Sequence, residues 1–571
     1  MTTAAAVDEA WKYPDIPNPD ILDRIPLSAR IVLDVGCGSG ALGAAYKQIN
    51  PAARVFGIET NQQAARLASS RLETVINSDV ETAIFPEELL GRIDCLIYGD
   101  VLEHLQDPWT LLKNHVETLL APGGVVIICM PNVEHWSITA RLLTGTFDYS
   151  DTGLLDRTHL RFFSQAMMER CIRAAGLQPI DCLPRIFEAE QGRQVINALK
   201  PALQTMQVDP DAYARRALPM QYVWRARAGG PGTVQVYSTI LAPVGGVSDV
   251  RVIEPMRALA AEPGIRAAIV KGGELPPPDP SLPKIWIFHR PALAGEEGLS
   301  VLRGILRQGF LIVTEFDDHP DYIPVLQRPD MWNFRGVHAV QTTTMGLADV
   351  FRKDNPEVAI FPNGIRALPA PHNHAKRPQM RMLFAGINRE NDWPPYIDAL
   401  NTAARLCGER LHFEVVRDRG FFDALDTPHK SFSDTLEYAD YHQKLSDCEL
   451  SFMPLQDTPF NRAKSDLKFI EAASHRVCAL ASPVAYENSI QDGKTGILFR
   501  TGAELQEKLV ALVNNPDAVL QIATAARSYV ASERMLAYQM AARTAWYRSL
   551  WARKDALNAA LLERMPALRE G

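Results

Sequence analysis

The sequence predicts an α/β protein of parallel sheets, arranged as one domain, a linker, and two further halves joined by a hinge. Short β-rich runs alternate with helical patterns along the chain, the order that builds parallel sheets covered by helices. These runs fall into three series, parted by Ala228-Gly229-Gly230-Pro231-Gly232 and by the loop-like stretch from Ala367 to Pro378. Glycine and proline at such density punctuate a chain rather than continue an element. At 571 residues the protein also exceeds what one hydrophobic core supports.

The first series reads ARIVLDVG, ARVFGIET, TVINSDV, DCLIYGD and GGVVIICMP, with runs near Ile180–Leu183 and Gln221–Trp224 completing the sheet. The second reads VQVYSTI, AAIVKG, KIWIFHRP, FLIVTEFDD, HAVQTTT and VAIFPNG, and the third MRMLFAG, LHFEVV, ELSFMPL, VCALAS and GILFR. From about Ala503 to Leu562 the pattern is helical. The resulting domains are 1–228, 233–370 and 379–550, with 551–571 as a C-terminal helical tail.

A hydrophobic share of 47% and a charged share of 22% are those of an ordinary globular protein. The formal net charge of -8 excludes broad, sequence-independent attraction to nucleic acid or an anionic membrane. No apolar run approaches the roughly 20 residues of a spanning helix, and the first residues lack the pattern of a signal peptide. A cytoplasmic protein is therefore expected, with peripheral membrane docking left open. Eight cysteines are scattered with no C-x-x-C pair, which suits a reducing compartment and no structural zinc.

Chemistry concentrates at strand ends. Asp34-Val35-Gly36-Cys37-Gly38-Ser39-Gly40 takes a strand through a glycine-rich turn into a helix. Such a turn lets backbone approach a ligand closely and offers free helix amides to an anion. The loop alone also satisfies a dinucleotide fingerprint. Glu59 ends the second strand, where a carboxylate reaches ribose hydroxyls. Asp79 is expected to close the third strand, near an adenine amino group. The fourth delivers Asp100-Val101-Leu102-Glu103-His104-Leu105 to the same edge. Glu103, three residues after Asp100, reads either as a functional carboxylate or as half of a capping box. His104 is a candidate general base or a packed helix histidine. His159 and Arg161 either orient an acceptor or pin a strap to the sheet.

These motifs, with Leu119-Leu120-Ala121-Pro122-Gly123-Gly124, Pro131-Asn132 and Asp156–Phe163, resemble the class I S-adenosylmethionine-dependent methyltransferase family over residues 25 to 225. The resemblance implies a Rossmann-like domain that binds S-adenosyl-L-methionine. Gly36, Gly38 and Gly40 would cradle its methionine part, Asp34 would support the loop or hold the amino group, Glu59 would take the ribose and Asp79 the adenine. Asp100 joins this cofactor set, and His104, Glu103 and His159 are the catalytic candidates.

Toward the C-terminus, the stretch Asp457–Val477 reads as a loop running into a helix. Lys464, Lys468 and Glu471 recur at helical spacing on one face, opposite an apolar stripe of Leu467, Ile470, Ala473 and Val477. Cations and free amides at a helix start suit a diphosphate; a solvated, ion-paired face is the alternative. With the glycine loop Ala242–Gly246, the run Phe361–Ile365 and Phe384-Ala385-Gly386, this stretch resembles a retaining, family-4-like glycosyltransferase of the GT-B type. The resemblance implies two more Rossmann-like domains and a nucleotide-sugar donor held by Gly246, Arg389, Lys464, Ser465, Lys468 and Glu471. Glu471 matches the second glutamate of an E-x7-E pair, whereas the first falls on Ala463. Asp317-Asp318 reads as a cation-binding pair or as turn chemistry, and the resemblance implies no bound metal.

Together these readings predict a bifunctional enzyme that methylates and glycosylates a carbohydrate or glycolipid acceptor, as in cytosolic assembly of an O-antigen, capsule or glycolipid. The alternative is a methyltransferase with a degenerate, non-catalytic GT-B carbohydrate-binding or scaffolding module. Oligomeric state is not legible.

Overall fold

The structure is a computed structural model that describes residues 15–240, 246–270, 277–371 and 379–569. Most of the glycine loop (241–245) and of the second loop-like stretch (372–378) lies outside the described residues. The chain divides into two compact units at Thr233–Val234.

In the first unit, seven strands form one sheet: β1 (Ile31–Val35), β2 (Arg54–Ile58), β3 (Thr74–Ile76), β4 (Ile93–Gly99), β5 (Leu120–Pro131), β6 (Gln178–Arg185) and β7 (Gln221–Arg227). Their order is β3-β2-β1-β4-β5-β7-β6, and β7 alone runs antiparallel to its neighbours β5 and β6. The order reverses between β1 and β4, the switch point where open α/β sheets bind ligands. Both faces are covered. Along β1, Leu33 and Val35 enter one apolar cluster while Val32 enters the other. This explains the nearly continuous hydrophobic runs of the first series.

The second unit holds two sheets. One contains β8 (Val234–Thr239), β9 (Ile265–Val270), β10 (Lys284–His289), β11 (Leu311–Glu315), β12 (Ala339–Thr342) and β13 (Val358–Ile360), in the order β13-β12-β11-β10-β8-β9. The other contains β14 (Met380–Ala385), β15 (Leu411–Val416), β16 (Lys430–Ser433), β17 (Leu450–Met453), β18 (Cys478–Ala481) and β19 (Ile497–Leu498), ordered β16-β15-β14-β17-β18-β19. Strand β16 was not expected, because KSFS is short, has three polar residues of four and pairs on one side only.

The C-terminal residues are not a separate tail. Leu561, Met565 and Leu568 share one core cluster with Trp286, Phe310 and Phe316 of the first half. Helix Met540–Ala552 is already part of this return, since the Tyr547 hydroxyl donates to Gln341 Oε1 at 2.8 Å. Asn558 meets His338 Nε2 at 2.9 Å, and Arg553 pairs with Glu357 at 2.7 Å. The boundary expected at 550–551 therefore falls inside an element that belongs to the first half. Its sequence hid this because one narrow stripe, Leu557 and Leu561, carries the burial in helix Lys554–Arg564.

All eight cysteines are free thiols. Among the described residues no helix is long and apolar enough to cross a membrane.

Candidate functional site

The carboxyl edge of β1 and β2 is shaped by its glycines. Gly36 takes φ +70° and Gly38 φ +54°, conformations that side chains disfavour. The Gly36 and Cys37 amides donate to the Ile58 carbonyl at 2.9 and 3.0 Å, which folds the loop over the end of β2. Glu59 then accepts from the Gly38 amide and the Asn61 amide, each at 2.8 Å. Asp34 is buried beneath the loop. Burial, and next the neighbouring Glu59, push its carboxyl up to about 7. Gly40 has a packing role: a Cβ there would stand 3.1 Å from Ala68 Cα. Asp79 does not close a strand. Strand β3 stops at Ile76, and exposed Asp79 accepts from the Glu81 amide at 2.9 Å, as turn aspartates do.

Beyond β4 the structure departs from a capping box. Leu102–His104 is a single 3-10 turn whose N-cap, Val101, makes no side-chain cap. Asp100, at φ +55°, instead accepts from Gln221 Nε2 at 2.6 Å. Burial raises its carboxyl above the usual range. Glu103 is 1% exposed, and neither carboxylate oxygen has a hydrogen-bond partner among the described residues. Burial, followed by the charge of Asp100, holds its carboxyl well above the usual range.

The His104 and His159 rings meet edge to face with centroids 4.8 Å apart. His104 Nδ1 lies 3.2 Å from the Thr158 carbonyl and 3.0 Å from its hydroxyl. His159 Nδ1 lies 3.2 Å from the Leu154 carbonyl. Burial, then His159, lowers the His104 pKa. The strap is pinned here as well. The Leu160 and Arg161 amides donate to the Glu103 carbonyl at 2.8 and 2.9 Å, and Arg161 donates to the Gln106 carbonyl at 2.5 Å. His159, Arg161 and Phe162 also line a small pocket with Asn132 and Leu154, with room for about one water. Phe147 packs against both Tyr149 and Phe162, placing exposed aromatic surface beside that pocket.

In the second unit the structure assembles the expected residues differently. Lys464 and Ser465 precede the helix, which spans Leu467–Ser474, so they do not share a helical face with Lys468 and Glu471. Lys464 Nζ lies 3.4 Å from Asp318, whose neighbour Asp317 pairs with Arg290 at 2.6 Å. The acidic pair is thus matched by two cations. Glu471 is buried, and its oxygens accept from Tyr438 at 2.9 Å and Tyr441 at 3.2 Å. This rules out the solvated-face reading. Lys468 lies over the Tyr441 ring at 5.3 Å. Gly246, at φ +87°, would bring a Cβ within 3.3 Å of the Tyr438 ring. Arg389 pairs with Asp392 at 3.0 Å and reaches Asn461 at 3.3 Å.

Ala463, in the place of the missing glutamate, is buried in the first half's apolar cluster, and its carbonyl accepts from Thr344 at 3.1 Å. Sequence reasoning missed Tyr438 and Tyr441, and also a buried relay. Arg251 donates to Glu315 at 2.9 Å and to Asn363 Oδ1 at 2.8 Å, and Asn363 donates to Ser465 at 2.8 Å. No local spacing marks these partners, because they join across 30 residues or more.

Comparison with known proteins agrees with this division. A family described as "Methyltransferase domain" matches residues 11–181, and one described as "Glycosyl transferase-like" matches 395–544. A trans-aconitate 2-methyltransferase of Methylobacterium radiotolerans is 36% identical over 118 residues, 20% of this chain and 44% of that protein. A ubiquinone biosynthesis O-methyltransferase of Ralstonia nicotianae is 32% identical over 174 residues, 28% of this chain and 70% of that protein. Among the first curated relatives, the chain spans 39% to 54% of their length. Anabaena HepE in complex with UDP and glucose has a TM-score of 0.39 at 12% identity, over 55% of this chain and 99% of that one. Through its N-terminal domain this chain belongs to the methyltransferase family, and behind that domain it carries a glycosyltransferase-like one.

Proposed function

We propose that the chain is a bifunctional carbohydrate-modifying enzyme, joining S-adenosylmethionine-dependent O-methylation to transfer from a nucleotide sugar. The observation that carries the methyl-transfer half is the convergence of Asp34, the Gly36–Gly38 turn and Glu59 at the switch point of one sheet. In that crevice the glycine turn would hold the donor's methionine part, Glu59 its ribose and Asp79 its adenine, with Asp100 in the same set. Methyl transfer is an in-line displacement. The S–CH3 bond would break with its electron pair left on sulfur, a C–O bond would form to the acceptor hydroxyl, and the hydroxyl proton would pass to His104, the base candidate. Alignment supplies much of the rate. The Glu103, His104 and His159 cluster would handle the hydroxyl, and the exposed rings of Phe147 and Tyr149 beside Phe162 offer an acceptor ring a face to stack on.

For the second unit, Gly246, Arg389, Lys464, Ser465 and Lys468 are the nucleotide-sugar contacts, with Glu471 at the ribose. A specific observation favours a second reading, in which this unit binds carbohydrate without catalysis. Ala463 sits in apolar packing, and two tyrosines already occupy Glu471. The setting proposed is cytoplasmic assembly of a surface glycan or glycolipid, with peripheral membrane contact through the acceptor.

Calorimetric titration of the full chain with S-adenosylhomocysteine, and separately with UDP, GDP and dTDP sugars, tests both halves. The bifunctional reading expects saturable binding of one ligand of each kind, plus transfer of labelled methyl and labelled sugar to a glycan acceptor. Methyl transfer with sugar binding but no sugar transfer selects the second reading. Absence of S-adenosylhomocysteine binding overturns the methyl-transfer half.

A further inference from the structure

The Glu103 carboxylate is the least satisfied polar group of the first unit's ligand edge. It is 1% exposed with both oxygens unpartnered among the described residues, and a buried group in that state costs free energy unless something else meets it. Asp100 does not, because Gln221 and the Cys129 thiol engage it. What lies opposite Glu103 is a pair of imidazoles. One ligand atom from each of Glu103, His104 and His159 falls within 4.8 Å of the other two.

The orientation of the two rings is specific. Each Nδ1 faces a backbone carbonyl, Thr158 for His104 and Leu154 for His159. A carbonyl only accepts, so each Nδ1 carries the proton and each Nε2 keeps its lone pair. The Thr158 hydroxyl donates to Asp156 at 2.7 Å and can accept from His104, which fixes the same tautomer. Carbonyls placed behind Nδ1 are the outer shell that orients metal-bound histidines. The backbone holds the third donor, since the Leu160 and Arg161 amides clamp the strap onto the Glu103 carbonyl.

We infer that Glu103, His104 and His159 form a two-histidine, one-carboxylate site for a divalent transition-metal ion. Two imidazoles with one carboxylate suit first-row transition metals better than magnesium or calcium, which prefer all-oxygen sets. Three protein ligands leave coordination positions open. His159 lines the small pocket under the strap, and Val101, two residues before Glu103, abuts Gly36 of the glycine turn. An acceptor oxygen in an open position would lie between pocket and turn, where a metal lowers the pKa of a bound hydroxyl. That last placement rests on the methyl-transfer reading; the metal site itself does not.

The test uses the full chain, stripped with a chelator and titrated with Co(II). The expected result is one Co(II) per chain, visible d–d absorption, and two imidazoles in the X-ray absorption spectrum. Glu103→Gln, close to isosteric, and His159→Ala, on the half-exposed strap, are each expected to weaken Co(II) binding by more than about 100-fold, since even outer-shell losses cost 10–100-fold. Circular dichroism confirms that the variants are folded. A folded wild-type chain that takes up no stoichiometric Co(II), or variants that bind it as tightly as wild type, would overturn the site. S-adenosylhomocysteine titration of the same samples keeps the two readings apart. Metal uptake without nucleoside binding retains the metal site and removes the methyl-transfer role.

Discussion

At Gly36 the backbone stands at φ +70°, and a Cβ would fall 2.5 Å from Val101 Cγ2. Gly36→Ala is therefore strained and pushes on the segment that leads to Glu103. Its expected outcome is a loss of about 1 kcal/mol or more of stability and no measurable S-adenosylhomocysteine heat in calorimetry. Asp34 offers a different handle. Its folded pKa of about 7 lies above the ordinary 3.8, so between these values the folded chain keeps a proton the unfolded chain has released. Its contribution to stability consequently falls as pH rises through that window. A cationic donor favours the carboxylate, so donor affinity should climb from about pH 6 to about pH 8 as the proton is expelled. Asp34→Asn should flatten that profile. An equally steep profile in the variant would place the titration elsewhere.

Helix Leu467–Ser474 illustrates what a pattern conveys and what it conceals. The helix itself was legible but not its stripe, since it is buried continuously from Phe469 to Ser474 and Val477 lies beyond its end; the runs that became β1 to β7 were legible because burial on both faces of a sheet leaves unbroken hydrophobic stretches. The glycine turn was legible for a related reason: few residues other than glycine tolerate positive φ, so their clustering announces a turn. The burial of Glu471 was not legible because its surroundings come from elsewhere in the chain. Tyr438 and Tyr441 reach it from 33 and 30 residues away and turn an apparent surface carboxylate into a buried acceptor. Glu103 hid in the same way, since only the folded strap shows that none of the described residues hydrogen-bonds to its carboxylate. Glu471→Ala should thus strand two tyrosine hydroxyls at about 1–3 kcal/mol each, read as a lower melting temperature of the second unit. Unchanged melting alongside lost nucleotide binding would assign Glu471 to the ligand alone.

Across the whole molecule, acid should act through buried neutral imidazoles. Burial lowers His115, His289 and His338 each to about 4. Below their unfolded pKa of about 6.5 the unfolded chain binds protons that the folded chain refuses, so stability drops as pH falls from there toward 4. Each group contributes roughly 3 kcal/mol of that loss at pH 4. Urea midpoints measured at about pH 7, 5.5 and 4 should fall in that order; a flat series would mean these rings find partners when charged.

The return of Leu561, Met565 and Leu568 to the sheet that begins at Val234 has a further consequence during synthesis. A ribosome releases that sheet long before it releases the residues that seal it. The nascent second unit consequently emerges with one apolar wall uncovered until residues 561 to 568 have been made, a natural client for chaperones that bind greasy, unfinished surfaces.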